Sequence, residues 1–265
     1  MKVLIIADVH GNFEALKAVL ADPHDALICL GDIVGYGPEP GACVRRILGE
    51  ADLVLRGNHD HALATGSAVG CPPSFQWLAE AAARIGPAQV STSERASLAE
   101  LPLRASQFID GIPYHLVHAA PTDPMYRYLE PTSDDWAREV RETGPEVLLV
   151  GHTHLQFRHH VAGRTIVSPG SVGQPRHGDP RAAYMVIEDG TFSFCRVAYR
   201  VDRTVTALER SGIEPAAAAA LAQLLRTGQP SLFMTPPEPA RVRPDAGAPH
   251  FYGRRGLERQ QGEVW

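Results

Sequence analysis

Apolar residues in this chain gather in short continuous runs, and five of those runs stop at the same kinds of polar residue. Val3-Leu4-Ile5-Ile6-Ala7 leads into Asp8-Val9-His10, and Ala26-Leu27-Ile28-Cys29-Leu30 leads into Gly31-Asp32. Leu53-Val54-Leu55 reaches Gly57-Asn58-His59-Asp60 through Arg56. His115-Leu116-Val117 stops at His118, and Val147-Leu148-Leu149-Val150 at Gly151-His152-Thr153-His154. Runs that do not alternate with polar residues predict strands buried on both faces. A glycine or polar residue at such a strand end delivers the next side chains to the edge of a sheet, where a ligand can reach them.

Helical spacing fills the gaps. Phe13, Leu16, Val19 and Leu20 share one face of a helix expected from Asn12 to Ala21, and Gly35-Tyr36-Gly37-Pro38 turns the chain into another near Gly41–Leu48. Strands alternating with helices predict an α/β core whose functional loops follow the strands. Residues 61–103 are helical in pattern and hold none of the candidate ligands. With Phe75, Trp77 and Leu78 they read as an insertion over the core, either plain structure or a lid that limits access to the site. Asp110-Gly111 marks a hairpin turn between two strands over 104–118, and Thr132–Thr143 reads as a helix capped by Thr132 or Ser133.

After His154 the pattern predicts strands at Phe157–Val161, Thr165–Val167, Ala183–Glu188 and Thr191–Val197, then helices at Thr204–Ser211 and Pro215–Arg226. The tail from Pro230 is rich in proline, with little apolar periodicity, and is expected to be extended or disordered. The chain therefore divides into a core domain over 1–200, with 61–103 as a helical cap, and a helical extension and tail over 201–265.

Composition narrows the class. The chain has 265 residues, 44% of them apolar and 21% charged, enough for one large globular core. A formal charge of -5 carries no basic footprint for duplex nucleic acid, though it does not exclude a nucleotide as a small substrate. The four cysteines lack Cys-x-x-Cys spacing and read as free thiols of a reducing compartment. The first apolar run ends at Ala7, too short for a signal peptide, and no run approaches a membrane span. The expectation is a cytoplasmic protein with no membrane partner; the oligomeric state stays open.

The chemistry lies in the strand ends. If those ends stay extended, residues two apart face one way, so Asp8 with His10, and His152 with His154, can each turn two ligands toward one point. Adding Asp32, Asn58 and His118 gives two carboxylates, four imidazoles and an amide. That donor set exceeds the needs of one ion and suits two, with Asp32 as the bridge. Oxygen and nitrogen donors without thiolates favour manganese, with iron, zinc, cobalt or nickel as alternatives. Two divalent ions with two carboxylates and a bridging hydroxide leave about +1 at the centre, attractive to a phosphate oxyanion whose phosphorus the hydroxide can attack in line.

Asp8-Val9-His10, Gly31-Asp32, Gly57-Asn58-His59-Asp60, His118 and Gly151-His152-Thr153-His154, in that order, resemble the motif set of the calcineurin-like metallophosphoesterases over roughly residues 1–200. Gly31-Asp32-Ile33-Val34-Gly35-Tyr36-Gly37 and Pro169-Gly170-Ser171-Val172-Gly173-Gln174-Pro175-Arg176 resemble a compact bacterial branch. The resemblance implies a four-layer α-β-β-α sandwich of two mixed sheets with metals between the sheet edges. It assigns Asp8, His10, Asp32 and His154 to one metal, and Asp32, Asn58, His118 and His152 to the other. His59 would bind no metal and would protonate the leaving oxygen or stabilise charge on it. Protein phosphatases of the superfamily carry an Asp and an Arg where Gly35 and Tyr36 stand here, so the group that orients the catalytic histidine and the phosphate clamp are both missing. Tyr36 and Arg176 are the substrate-binding candidates. The expected function is a phosphodiesterase acting on small or nucleotide-like esters. The alternatives are a phosphomonoesterase or dinucleoside polyphosphate hydrolase using the same site, or a non-catalytic scaffold of the same fold.

Overall fold

The computed structural model describes residues 1–230, and the proline-rich tail after Pro230 lies outside them. The chain opens with strands and helices in turn: β1 (Val3–Ile6), α1 (Phe13–Val19), β2 (Ala26–Cys29), α2 (Pro40–Glu50) and β3 (Leu53–Val54). A helical stretch follows, with α3 (Asn58–Thr65), α4 (Pro73–Ala82), α5 (Gly86–Gln89) and α6 (Thr92–Glu100). Next come the hairpin β4 (Arg104–Ile109) and β5 (Ile112–Val117), then α7 (Trp136–Glu139), β6 (Val147–Leu149), β7 (Gln156–Val161) and β8 (Arg164–Pro169). A second hairpin, β9 (Ala182–Glu188) and β10 (Thr191–Val197), precedes α8 (Val201–Glu209) and α9 (Pro215–Thr227).

The strands form two mixed five-stranded sheets, ordered β10-β9-β1-β2-β3 and β4-β5-β6-β8-β7. In the first, β1 pairs in parallel with β2 and β2 with β3, while β9 closes the other side of β1 antiparallel. In the second, β5, β6 and β8 are parallel neighbours flanked by the antiparallel β4 and β7. The sheets pack face to face. Val3, Ile5, Ala7, Ile28 and Leu30 meet Tyr114, Leu116, Leu149 and Val167 across the gap.

The alternate residues of β1 point the other way. Leu4 and Ile6 pack under α1 and α2 with Leu16, Val19, Val44 and Ile47. Both faces of the strand are thus dry, which is why its sequence is an unbroken apolar run. Removing each such side chain from water stabilises by about 1.5–3 kcal/mol. The outer face of the second sheet, with Leu148, Phe157 and Ile166, is covered by Trp136 and Val140, completing the four layers.

The expected helix over Thr132–Thr143 is much shorter. Regular α-helix runs only from Trp136 to Glu139, with Asp135 at its N-cap, before a 3-10 turn over Val140–Glu142. Ser133 does not cap it. Its hydroxyl instead accepts from the nearby Asp135 backbone, a local bond that competes with helix. Buried Glu139 turns inward to accept from the Thr122 backbone and hydroxyl and to pair with Arg127, holding the segment as a brace.

No helix among the described residues is long and apolar enough to cross a membrane. The four cysteines are free, with Cys29 and Cys43 buried.

Candidate metal centre

All five apolar runs end on one side of the paired sheets, and their terminal residues converge. Asp8 and His10 follow β1, Asp32 follows β2, Asn58 and His59 open α3 just after β3, His118 follows β5, and His152 and His154 follow β6. Asp8, His10 and His154 form one group of close ligand atoms, Asp32, His118 and His152 a second, and His10, Asp32 and His59 a third that links them.

The expected extended alternation does not hold at these strand ends. Asp8, His10, Asp32, His152 and His154 all adopt positive φ, between 47° and 66°. Left-handed residues turn the backbone sharply, so convergence comes from strained corners rather than from strand pleat. Asp8 and His10 still meet, with carboxylate oxygen and Nε2 at 3.8 Å. His152 and His154 part company, the first joining Asp32 and His118 and the second joining Asp8.

Hydrogen bonds fix which ring nitrogens are free. The Nδ1 of His10 donates to the Val34 carbonyl at 3.0 Å, that of His154 to Gln174 at 2.7 Å, and that of His118 to Leu30 at 3.0 Å. A carbonyl only accepts, so each Nδ1 carries the proton and a neutral ring leaves Nε2 as a bare lone pair. Two such lone pairs, on His10 and His154, face each other at 3.0 Å. Near them Asp8 Oδ1 is buried without a partner, 3.5 Å from His154 Nε2.

The second group repeats the pattern. Asn58 donates its amide to the Val69 carbonyl, which turns Oδ1 toward His118 Nε2 at 3.2 Å. Asp32 Oδ2 lies 3.3 Å from the same nitrogen, and His152 Nε2 is buried and unpartnered. Acceptors aimed at acceptors repel unless a cation or proton sits among them. Both clusters therefore fit a divalent ion, and Asp32 faces both.

Burial and charge agree with that reading. Burial pushes the Asp8 carboxyl up to about 7, opposed by His118. Burial also lowers His152 to about 3 and holds His10 and His154 well below the usual imidazole range, keeping them neutral as metal ligands must be. His118 differs: burial opposes its charge, but Asp32 beside it raises it to about 9. Burial likewise works against the Asp32 charge, and His118 and His59 outweigh it and keep the carboxyl ionised. A metal ion at this position would displace the His118 proton.

His59 lies beside the ligands without occupying a vertex of the two main groups. Its backbone N–H donates to Asp32 Oδ1 at 2.9 Å, and its ring packs edge-on to His10 and tilted on Tyr36, with centroids 4.8 and 4.7 Å away. The ring also lies directly against Gly35, where an added Cβ would overlap it. Packing replaces a carboxylate as the device that holds this histidine. Burial lowers it to about 4.

Asp60, part of the sequence motif but given no role there, accepts from the backbone of Ile33, Val34 and Gly57 and so locks the Asp32 loop to the start of α3. Gly57 is required because any Cβ would strike the Asp32 carboxylate.

Tyr36 is buried against His10, His59 and Phe75. The Arg176 guanidinium stacks 3.5 Å over the Phe75 ring of α4 and donates to Gln174 at 2.7 Å. It is close enough for its charge to lower His10, His59, His152 and His154. Tyr128, half-buried, adds its hydroxyl to Arg176 and its ring to His152 at 5.6 Å. Nothing in the local sequence signals Tyr128, and Gln174 stood only inside a glycine-rich loop.

A model of the calcineurin-like phosphoesterase superfamily domain matches residues 1–190, and the chain belongs to that family of metal-dependent phosphoesterases. It is 31% identical over 224 residues to the uncharacterized protein MJ0912 of Methanocaldococcus jannaschii, covering 76% of this chain and 89% of that one. The crystal structure of a metallophosphoesterase from Sphaerobacter thermophilus superposes with a TM-score of 0.73 at 33% identity, over 86% of this chain and 99% of that one. A 72-residue stretch is 42% identical to a symmetrical bis(5'-nucleosyl)-tetraphosphatase of Hamiltonella defensa, covering 24% of this chain and 26% of that one.

Proposed function

We propose that this chain is a dinuclear metal-dependent phosphodiesterase acting on small or nucleotide-like esters, with Asp8, His10, Asp32 and His154 holding one ion and Asp32, Asn58, His118 and His152 the other. The observation that carries this reading is the pair of facing acceptor clusters that share Asp32, each with its ring tautomers set by backbone carbonyls. When bound, the ions supply Lewis acidity and an activated water at neutral pH. Manganese suits these donors first, then iron, zinc, cobalt or nickel.

The chain's own residues do the rest. His59, held by Gly35, Tyr36 and His10, is placed to deliver a proton to the leaving oxygen; burial keeps the ring neutral, and the negative charge of a bound phosphate would raise its proton affinity for that task. Gly35 and Tyr36 carry no charge where a phosphatase clamp would sit, so a diester monoanion matches the centre unless Arg176, 5.9 Å from the Tyr36 ring centroid, engages the phosphate. The test is hydrolysis of a phosphoester panel by metal-free protein reconstituted with each divalent ion in turn. The reading requires hydrolysis with at least one ion and a higher kcat/KM for bis-para-nitrophenyl phosphate than for para-nitrophenyl phosphate. Silence with every ion would favour a scaffold.

Arg176 supports a second reading. It forms no ion pair with a carboxylate among the described residues, and its charge reaches the candidate ligands. That extra cation would suit a monoester dianion or a dinucleoside polyphosphate, the class named for the tetraphosphatase relative. A monoester preference that vanishes in Arg176→Ala would establish this second reading.

A further inference from the structure

Residues between His59 and Pro87, with Val34, Gly35, Gly37, Pro40 and Arg95, line a partly open cavity of about 470 Å³ that none of the candidate metal ligands lines. Its inner wall is Gly35 and the His59 ring; its other walls are Ala62 and Leu63 of α3, Ala79 and Ala82 of α4, and Gly86 of α5. His59 is the one residue that belongs both to this cavity and to the groups of ligand atoms around Asp32. We infer that this cavity is the leaving-group subsite of the enzyme and that it takes a flat, uncharged aromatic group of nucleobase size.

The inference rests on the phosphoesterase reading and on direction. In an in-line displacement the leaving oxygen departs opposite the attacking one, and the acid that protonates it must stand on that side. His59 is that acid, so whatever the leaving oxygen carries must extend past His59. The open space that His59 lines is this cavity.

Its chemistry selects the occupant. The volume falls within the range of small-molecule sites. Alanines at 62, 79 and 82 create the room, where larger residues at the same helical spacing, such as Phe75 and Leu78, would fill it. Desolvating a charged group against such walls is costly, whereas an aromatic ring gains from them. Thr65 and Ser67 also line it; the Thr65 hydroxyl is taken up by the His61 carbonyl and Ser67, which leaves the Ser67 hydroxyl hydrogen for a ring nitrogen or a sugar. Among the described residues, Arg95 is the only charged side chain on the lining apart from the titratable His59, and no carboxylate lines it.

The experiment compares phenyl methyl phosphate with 1-naphthyl methyl phosphate on manganese-loaded protein, and measures adenosine binding by calorimetry on the same preparations. Wild type should favour the naphthyl ester in kcat/KM by about 10-fold. Ala82→Phe, which fills the cavity, should bring that ratio close to one and abolish adenosine binding. Ala79→Val serves as a milder filling and should lower the ratio part of the way. Circular dichroism and thermal melting would show that both variants fold. Equal kcat/KM for the two esters in wild type, or adenosine binding that survives filling, would overturn the subsite. Hydrolysis of neither ester with any ion would sink the phosphoesterase reading, and adenosine binding would still decide the cavity.

Discussion

Asp32 is where both acceptor clusters meet, since its Oδ2 lies 3.7 Å from His10 Nε2 and 3.3 Å from His118 Nε2. Replacing it by alanine should empty both positions, whereas Asn58→Ala should weaken mainly the one shared with His118 and His152. Elemental analysis of the purified variants checks this, and two ions at full occupancy in Asp32→Ala would rule out a bridge. His59→Ala should keep the metals but lose roughly 10²–10⁴-fold in rate. That loss should shrink for nitrophenolate, a leaving group that needs no proton. Gly35→Ala tests how the histidine is held. Position 35 has φ +99 and no room for a Cβ beside the ring, so the variant should resemble His59→Ala in rate while binding metal normally. Wild-type activity in Gly35→Ala would show that packing against Gly35 does not hold the ring.

Each element carries its share through its ends. The parallel strands could be recognised in the sequence because burial on both faces leaves nothing but apolar residues between Val3 and Ala7 or between Val147 and Val150. The ligands were readable for the same reason, standing just past those runs. What could not be read was the backbone that aims them. Left-handed φ at Asp8, His10, Asp32, His152 and His154 comes from tertiary bonds such as His10 N–H to the Asp32 carbonyl and His152 N–H to Asp8 Oδ2. No local preference announces it. The same holds for Tyr128 and for the Phe75 ring under Arg176, because contacts between distant segments leave no periodic trace.

The C-terminal helices are tied in similarly. Buried Thr204 of α8 donates to Asn12 Oδ1, which also caps α1. Thr204→Val removes that donor at nearly constant shape and should lower unfolding stability by about 1 kcal/mol in a denaturant titration. A change within error would mean α8 contributes through packing alone.

Taken whole, the molecule packs two mixed sheets face to face so that five strand ends share one small, buried space. Every candidate ligand there is buried, which leaves lone pairs that a bound ion would satisfy. Helices α3 to α5 bring a largely apolar cavity, with Arg95 on its lining, to His59, while Arg176 is held by Phe75. Two ions are proposed to act together in this space. Titrating metal-free protein with Mn(II), while following both the ions bound per chain and hydrolysis of bis-para-nitrophenyl phosphate, tests it most directly. Hydrolysis should rise with the second ion and level off at two per chain. Full activity with one ion bound, or none after two, would contradict it.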